Sequence, residues 1–304
     1  MSQIKITILG TTAAIPTRSR AHAAMHLNYT DAEEFCCLFD CGEGAQRQLL
    51  YAGLNLMKID NVFITHWHGD HSLGLPGLID TMGFCERKAP FNLYAPEVKR
   101  AEKSLGLNYP AGSFKILPCN VPEKGSDIKV LLETERFQIV SIPAKHGVPS
   151  VSYAFMEKDN VCIDLSKAKD LGLPEKGDIY KKLKEGKAIL KGGKHIVLKD
   201  VSMTVKGKKV VYSGDTEVCD NLEKLINGAD LLIQDCTYFE DKPADKPYKH
   251  AAFPEIVEMV SGGNVKKIVL THISRKYQDM KQLKKIIEKY PNFEIAEDFM
   301  KVEV

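Results

Sequence analysis

The sequence predicts an α/β protein, and three observations carry that expectation. Short apolar runs rich in Val and Ile recur along the 304 residues, bounded by turn residues. Longer segments with helical spacing lie between some of them. The composition is that of an ordinary globular chain, 44% hydrophobic and 27% charged with 22 Gly and 14 Pro, which excludes disordered, collagen-like and low-complexity classes. In chain order, residues 4–9 open as a strand-like alternation and 37–39 read as the next strand. Residues 45–52 have helical spacing, 62–64 return to strand, and 97–105 are again helical. Strands follow at 137–142 and 210–212, a helix at 221–226, strands at 231–233 and 268–270, and a last helix at 279–289. The strand assignments rest on length and residue type, since three to six Val/Ile-rich residues are too few for a helix. Strands mixed with helices imply sheets covered by helices, and a chain of this length can bury a sizeable core. No internal repeat is evident.

Charge and cysteine usage bound the function further. Lys+Arg is 42 and Asp+Glu 40, a formal net charge of +2, so any grip on nucleic acid must be local. One segment supplies such a local excess. Residues 167–194 hold nine lysines against four acids, five glycines and Pro174, with few apolar residues. That reads either as a solvated loop or hairpin, or as a protruding arm that grips phosphates. The first thirty residues carry no long apolar run of the signal-peptide kind, and no stretch approaches the roughly 18 apolar residues that span a bilayer. None of the eight cysteines forms a C-x-x-C pair, so neither a disulfide framework nor a zinc knuckle is expected, and a cytoplasmic setting follows.

The strongest signal is His66-Trp67-His68-Gly69-Asp70-His71, directly after the run Asn61-Val62-Phe63-Ile64-Thr65. Imidazoles packed this densely must stay neutral or repel one another. A divalent metal removes the conflict, because it takes neutral imidazole nitrogens and carboxylate oxygens. Gly69 allows the tight bend that turns successive side chains into one pocket. Three further metal-competent groups share the context of a strand end. They are His146 after Val140-Ser141-Ile142-Pro143, Asp215 after Val210 to Gly214, and His272 after Ile268-Val269-Leu270-Thr271. The seven candidate ligands are thus His66, His68, Asp70, His71, His146, Asp215 and His272. One four-coordinate ion leaves ligands over, whereas two ions sharing a carboxylate use all seven. Such a pair suits hydrolysis, particularly of a phosphodiester.

With these residues in view, the chain resembles a known family. H-x-H-x-D-H after an apolar strand resembles the signature of the metallo-β-lactamase superfamily. Leu9-Gly10-Thr11 through Ile15-Pro16-Thr17-Arg18, and the stretch L-F-D-C-G-E-G-A-Q-R-Q-L from Leu38 to Leu49, resemble one branch, ribonuclease Z. So do H-W-H-G-D-H-S-L-G-L-P-G-L from His66, Lys145-His146-Gly147-Val148-Pro149-Ser150 with Tyr153, Ser213-Gly214-Asp215-Thr216, and Leu270-Thr271-His272-Ile273-Ser274. The resemblance spans about residues 5 to 280.

The resemblance implies a single domain, 1–304, with an αβ/βα four-layer sandwich fold: two mixed β-sheets face to face with helices outside. It implies two zinc ions per chain, manganese also suiting such donors. His66, His68 and His146 would hold one ion, Asp70, His71 and His272 the other, with Asp215 bridging. Asp70 would also take a proton from the attacking water, and His250, beside Asp235, would give one to the leaving oxygen. The family usually has Glu in H-E-A-T-F where this chain has Asp235, and H-S-T where it has His250-Ala251-Ala252. It tends to read S-x-R-Y where Ser274-Arg275-Lys276-Tyr277 stands, so Lys276 offers a point charge in place of a planar fork. The implied activity is removal of the 3′ trailer from precursor tRNA, leaving a 3′-hydroxyl on the tRNA and a 5′-phosphate on the trailer. The implied partners are precursor tRNA and a second copy of the chain in a homodimer, with segment 167–194 as a flexible arm that holds the tRNA. No membrane and no other protein partner is implied. A second reading is a small-substrate phosphodiesterase or another hydrolase of the superfamily. A third, a noncatalytic RNA-binding scaffold, needs a degraded metal site, whereas all seven ligands are present.

Overall fold

In the computed structural model, residues 2–104, 114–240, 249–262 and 265–304 are described. The chain divides into two compact units. The larger comprises Met1–Glu133, Gln138–Phe155 and Lys209–Val304, and the smaller comprises Thr134–Phe137 and Met156–Lys208.

The larger unit is built on two seven-stranded sheets. The first runs in the order Lys301–Glu303, Gln3–Gly10, Ala24–Thr30, Glu34–Phe39, Ile59–Phe63, Phe91–Ala95 and Ile116–Asn120. Its first four strands are antiparallel and the rest parallel, so it is mixed. The second runs in the order Phe293–Ile295, Lys267–Thr271, Leu231–Asp235, Lys209–Tyr212, Val151–Glu157, Phe137–Pro143 and Lys129–Glu133. Alternation along each strand sorts the side chains into layers. Leu38, Val62 and Leu93 turn to the helix side, where Leu49 and the Leu75–Phe84 helix residues Leu75, Leu78, Ile79 and Met82 cover them. Their neighbours Phe39 and Phe63 turn the other way and meet Tyr153 of the second sheet, at ring-centroid distances of 5.8 and 5.5 Å. Phe39 also lies 6.0 Å from Tyr212. This aromatic layer is the seam between the sheets.

The expected strands all form, most of them extended by one to three residues at an end. The helix expected at 45–52 is Ala45–Tyr51, and that at 221–226 is Asp220–Ile226. The helix expected at 279–289 is Met280–Ile287, with the Asp279 side chain accepting the Lys281 amide as its cap. Of the helix expected at 97–105, Lys99–Ser104 is observed, and Leu105 lies outside the described residues. Helices Leu75–Phe84 and Phe253–Ser261 carry no expectation from sequence. Each has a Pro in its first turn, where the missing N–H costs nothing.

The smaller unit has its own small core. Ala168, Leu173, Leu183, Ile196 and Val201 are buried together. Ala168 and Leu183 lie on the short helices Leu165–Asp170 and Ile179–Lys184, and Leu173 in the turn between them. Ile196 lies on the hairpin of Ile189–Lys191 with Lys194–Ile196 and Val201 on the 3-10 turn Leu198–Val201, while the strands Asn160–Ile163 and Ser202–Val205 pair beside them. The lysine-rich stretch is therefore folded around a handful of apolar side chains, and its lysines 176, 181, 182, 184 and 187 are exposed.

One buried histidine makes stability depend on pH. His26 lies in the strand Ala24–Thr30 between Thr7 and Leu38 and is 3% exposed. Burial outweighs the attraction of Glu34 and lowers its pKa to about 4. Because the folded pKa lies below the unfolded one, this contribution is intact above pH 6.5. It is lost as pH falls, because the unfolded chain binds a proton that the native state refuses. The loss is about 3 kcal/mol over the window from 6.5 to 4. Urea unfolding of the parent and of His26→Leu at pH 7 and pH 5 checks this. The variant is expected to lose less stability between the two values; equal losses would contradict it.

Candidate metal centre

The site is assembled at strand ends. In the first sheet, Glu34–Phe39 runs parallel to Ile59–Phe63, so Asp40 and the segment Thr65–His71 emerge at the same edge. In the second sheet, Lys209–Tyr212, Leu231–Asp235 and Lys267–Thr271 are parallel neighbours, so Asp215, Asp235 and His272 emerge together. His146 follows the strand Phe137–Pro143. After His68 the chain enters a single helical turn, Gly69–Ser72, which presents Asp70 and His71 side by side. The Trp67 indole N–H donates to the Pro96 carbonyl at 2.6 Å and ties this loop to the neighbouring strand end.

The seven side chains singled out from sequence come together in two groups that share Asp215. His66, His68, His146 and Asp215 form one; Asp70, His71, His272 and Asp215 form the other. Within each group the donor atoms lie within 4.8 Å of one another. His68 Nδ1 is 2.9 Å from His66 Nε2 and 3.3 Å from His146 Nε2. Asp215 Oδ2 is 3.6 Å from His66 Nε2 and 3.3 Å from His272 Nε2, and Oδ1 is 3.2 Å from His71 Nε2. Asp70 Oδ2 is 3.3 Å from His272 Nε2 and accepts the Ala14 amide at 2.9 Å. His66, His71, Asp215 and His272 are buried, whereas His68 is exposed and marks the side open to solvent.

The outer nitrogens are spoken for. His71 Nδ1 donates to Asp40 at 2.7 Å and His146 Nδ1 donates to the Lys249 carbonyl at 2.9 Å. His66 Nδ1 meets the Thr65 hydroxyl at 3.0 Å and His272 Nδ1 the Thr237 hydroxyl at 2.9 Å. Such partners orient each ring, fix the tautomer of its neutral form and turn each Nε2 inward. Asp40 is a hub: it is fully buried and also accepts the Thr65 amide at 2.7 Å and the Tyr212 hydroxyl at 2.8 Å. Sequence reasoning assigned no role to Asp40, Thr65, Tyr212 or Thr237. The only signal was a carboxylate, Asp40, placed directly after a buried strand.

Titration tendencies differ between the groups. Burial drives His66 well below the ordinary imidazole range, with His71 reinforcing it. Burial also lowers His68 and His146. In the second group burial opposes charge, but ion pairing wins. Asp215 leads in raising His272 to about 10. His272 and His71 in turn hold the Asp70 carboxyl well below the usual carboxylate range.

This donor set fits a pair of divalent cations. Inward-facing imidazole lone pairs about 3 Å apart repel unless a cation lies between them, and Asp215 Oδ1 is buried with no hydrogen-bond donor among the described residues. Nitrogen and carboxylate donors suit zinc, and manganese among others.

Beside the two groups stands a third pair. His250 Nδ1 donates to Asp235 Oδ2 at 2.8 Å. Asp235 Oδ2 also accepts the Thr216 amide at 3.2 Å, and Oδ1 accepts the Thr237 amide and hydroxyl at 3.0 and 2.7 Å. Burial works against the Asp235 charge, but His250 outweighs it and the pKa is lowered to about 2. Burial likewise opposes the His250 imidazolium, and Asp235 outweighs it, so the His250 pKa is raised. Lys276, in contrast, has its ammonium 4.5 Å from the Tyr277 ring centroid, 5.6 Å from that of Tyr238 and 3.5 Å from Glu240.

Comparisons with known proteins bear on what such a site does. Residues 198–273 match the profile of the beta-lactamase superfamily domain, and residues 4–105 that of anti-Pycsar protein Apyc1. A protein of Methanococcus maripaludis named ribonuclease Z is 39% identical over 314 aligned positions, covering 98% of each chain. The ribonuclease Z of Methanothermobacter thermautotrophicus is 37% identical over 99% of this chain and 97% of its own. Among solved structures, human tRNase Z, short form, superposes with a TM-score of 0.67 at 25% identity, covering 98% of each chain. The Bacillus subtilis metallo-beta-lactamase fold protein YhfI gives 0.68 at 17% identity over 99% of this chain and all of its own, a likeness of fold alone.

Proposed function

The chain belongs to the ribonuclease Z family, and from that premise we propose that it is a hydrolase, an endoribonuclease that removes the 3′ trailer from precursor tRNA. The observation that carries the reading is the convergence of the two donor groups on Asp215. His66, His68 and His146 would hold one ion and Asp70, His71 and His272 the other, with Asp215 available to both. Ions bound there would supply Lewis acidity, lowering the pKa of water and offsetting charge at phosphorus.

The chain's own residues do the rest. Asp70, ionised at neutral pH, accepts a proton from the attacking water. His250 gives a proton to the 3′ oxygen that leaves phosphorus. Its Nδ1 proton is held by Asp235, so the proton it hands over is the one on Nε2. The new bond joins water oxygen to phosphorus and the broken bond is phosphorus to the tRNA 3′ oxygen. The tRNA then ends in a 3′-hydroxyl and the trailer begins with a 5′-phosphate.

The test is incubation of zinc-loaded protein with a 3′-extended tRNA transcript. Trimming to those two ends is expected; no cleavage, or a cyclic phosphate product, would overturn the reading.

The smaller unit is assigned to RNA binding. Its lysine excess is larger than that of the whole chain, which suits an arm gripping phosphates. Replacing the exposed lysines 176, 181, 182, 184 and 187 by alanine leaves the small core intact, whereas excising 167–194 removes Ala168, Leu173 and Leu183 from it. The replacement is expected to weaken tRNA binding and to flatten its salt dependence by roughly 0.7–0.9 in log–log slope per lost phosphate contact. Hydrolysis of a small chromogenic diester is expected to be unaffected. Unchanged tRNA binding would remove the arm from the account and favour the small-substrate reading. We further assign a homodimer and a cytoplasmic setting, the latter supported by eight free cysteines. Among the described residues no helix is long and apolar enough to cross a membrane.

A further inference from the structure

Arg20 closes an exposed loop, yet its own side chain turns inward. Residues 14–19 are exposed and Arg20 is only 8% exposed. Its guanidinium donates to three backbone carbonyls of the segment that follows His272. Nη1 reaches Ile273 O at 3.0 Å, and Nη2 reaches Tyr277 O at 3.4 Å and Ser274 O at 3.5 Å. Ile273 is held from the same side by Thr11 and Ala13. Its amide donates to Thr11 O at 3.0 Å and its carbonyl accepts the Ala13 amide at 3.2 Å. Asp298 completes the frame, accepting the Thr11 hydroxyl at 2.8 Å, the Ala21 amide at 2.7 Å and the Gln48 side-chain amide at 3.1 Å. Burial works against the Arg20 charge and lowers its pKa, and the Asp298 carboxylate offsets part of that.

The segment so clamped begins with a residue that needs clamping. His272 has φ +55°, in the left-handed region, where a non-glycine side chain is strained. Such a conformation persists only when its surroundings over-determine it. It puts His272 Nε2 3.3 Å from both Asp70 Oδ2 and Asp215 Oδ2. A planar fork is suited to gripping several carbonyls at once, which an ammonium is not. With its donors turned to backbone and its head buried, Arg20 is not placed to meet a phosphate, in contrast to exposed Arg18 two residues earlier.

We infer that Arg20 is a positioning residue: its guanidinium clamps the backbone after His272 in a left-handed turn and so sets His272 at its place between Asp70 and Asp215. The inference rests on the two-ion reading of the centre. Its test uses the full-length protein as the parent, Arg20→Lys and Arg20→Ala. Zinc content is measured after dialysis against a chelator of graded strength, and kcat and KM are measured separately on a 3′-extended tRNA transcript. Arg20→Lys is expected to release one of two zinc ions 10–100-fold more readily and to lower kcat by a similar factor, the usual cost of losing a partner that orients a ligand. KM is expected to stay within about twofold, and methylguanidinium is expected to restore zinc retention to Arg20→Ala. A rise in KM alone would make Arg20 an RNA contact and overturn the assignment. Unchanged zinc retention and kcat would overturn it too, as would variants that fail to fold, which would assign Arg20 to general stability. A parent that retains fewer than two ions would instead overturn the two-ion reading itself.

Discussion

Asp70→Ala is expected to abolish turnover of a 3′-extended tRNA while leaving its binding largely intact. Losing a single proton-transfer group costs on the order of 10²–10⁴ in rate. Asp70 does more than transfer a proton. Its Oδ2 is also one of the donors that face His71 and His272, at 3.6 and 3.3 Å. The loss is therefore expected to lie at or beyond the upper end of that range. Binding is expected to persist because the lysines assigned to RNA belong to the unit built from Met156–Lys208, and Asp70 belongs to the other. Single-turnover cleavage with enzyme in excess, alongside filter binding, separates the two effects. Turnover at the parental rate would remove Asp70 from the mechanism. Equal loss of binding and rate would show that the carboxylate supports the fold rather than the chemistry.

His250→Ala is expected to slow tRNA cleavage by about 10²–10⁴-fold and to spare a nitrophenyl diester. The distinction follows from the leaving group. A ribose 3′ oxygen departs as a strongly basic alkoxide unless it is protonated, whereas nitrophenolate needs no proton. The geometry supports a donor: Nδ1 is fixed on Asp235 at 2.8 Å, and Asp235 is itself braced by the Thr216 and Thr237 amides. Asp235→Asn is expected to give an intermediate loss on tRNA, because the amide still bonds the ring but no longer favours the imidazolium. Comparable losses of both substrates in His250→Ala would mean that His250 shapes the site and donates no proton.

The seven side chains that meet in the candidate centre are legible in the sequence because their signals are dense or share a context. Four of them fall within six residues, and His146, Asp215 and His272 each follow an apolar strand. The residues that orient them were not legible. Asp40 sits within L-F-D-C-G-E-G, but a single acid after a strand is common, and its hold on His71 depends on the parallel register of Glu34–Phe39 with Ile59–Phe63. Thr237 and Tyr212 act through one hydroxyl each, which leaves no trace in spacing. The helix Leu75–Phe84 was hidden by Gly-Leu-Pro-Gly-Leu, whose Gly and Pro resemble a turn although Pro is at home in a first helical turn. The core of the smaller unit was hidden by dilution, since its five buried side chains are spread from Ala168 to Val201 among lysines and glycines. The clamp by Arg20 was invisible because it joins positions more than 250 residues apart through backbone carbonyls, which no side-chain pattern encodes.

The proposed activity requires two cations that share Asp215. Anomalous scattering from crystals of the zinc-loaded protein, recorded on both sides of the zinc absorption edge, tests that most directly. Two peaks per chain are expected, one among His66, His68, His146 and Asp215 and one among Asp70, His71, His272 and Asp215. A lone peak, or peaks away from these side chains, would contradict it.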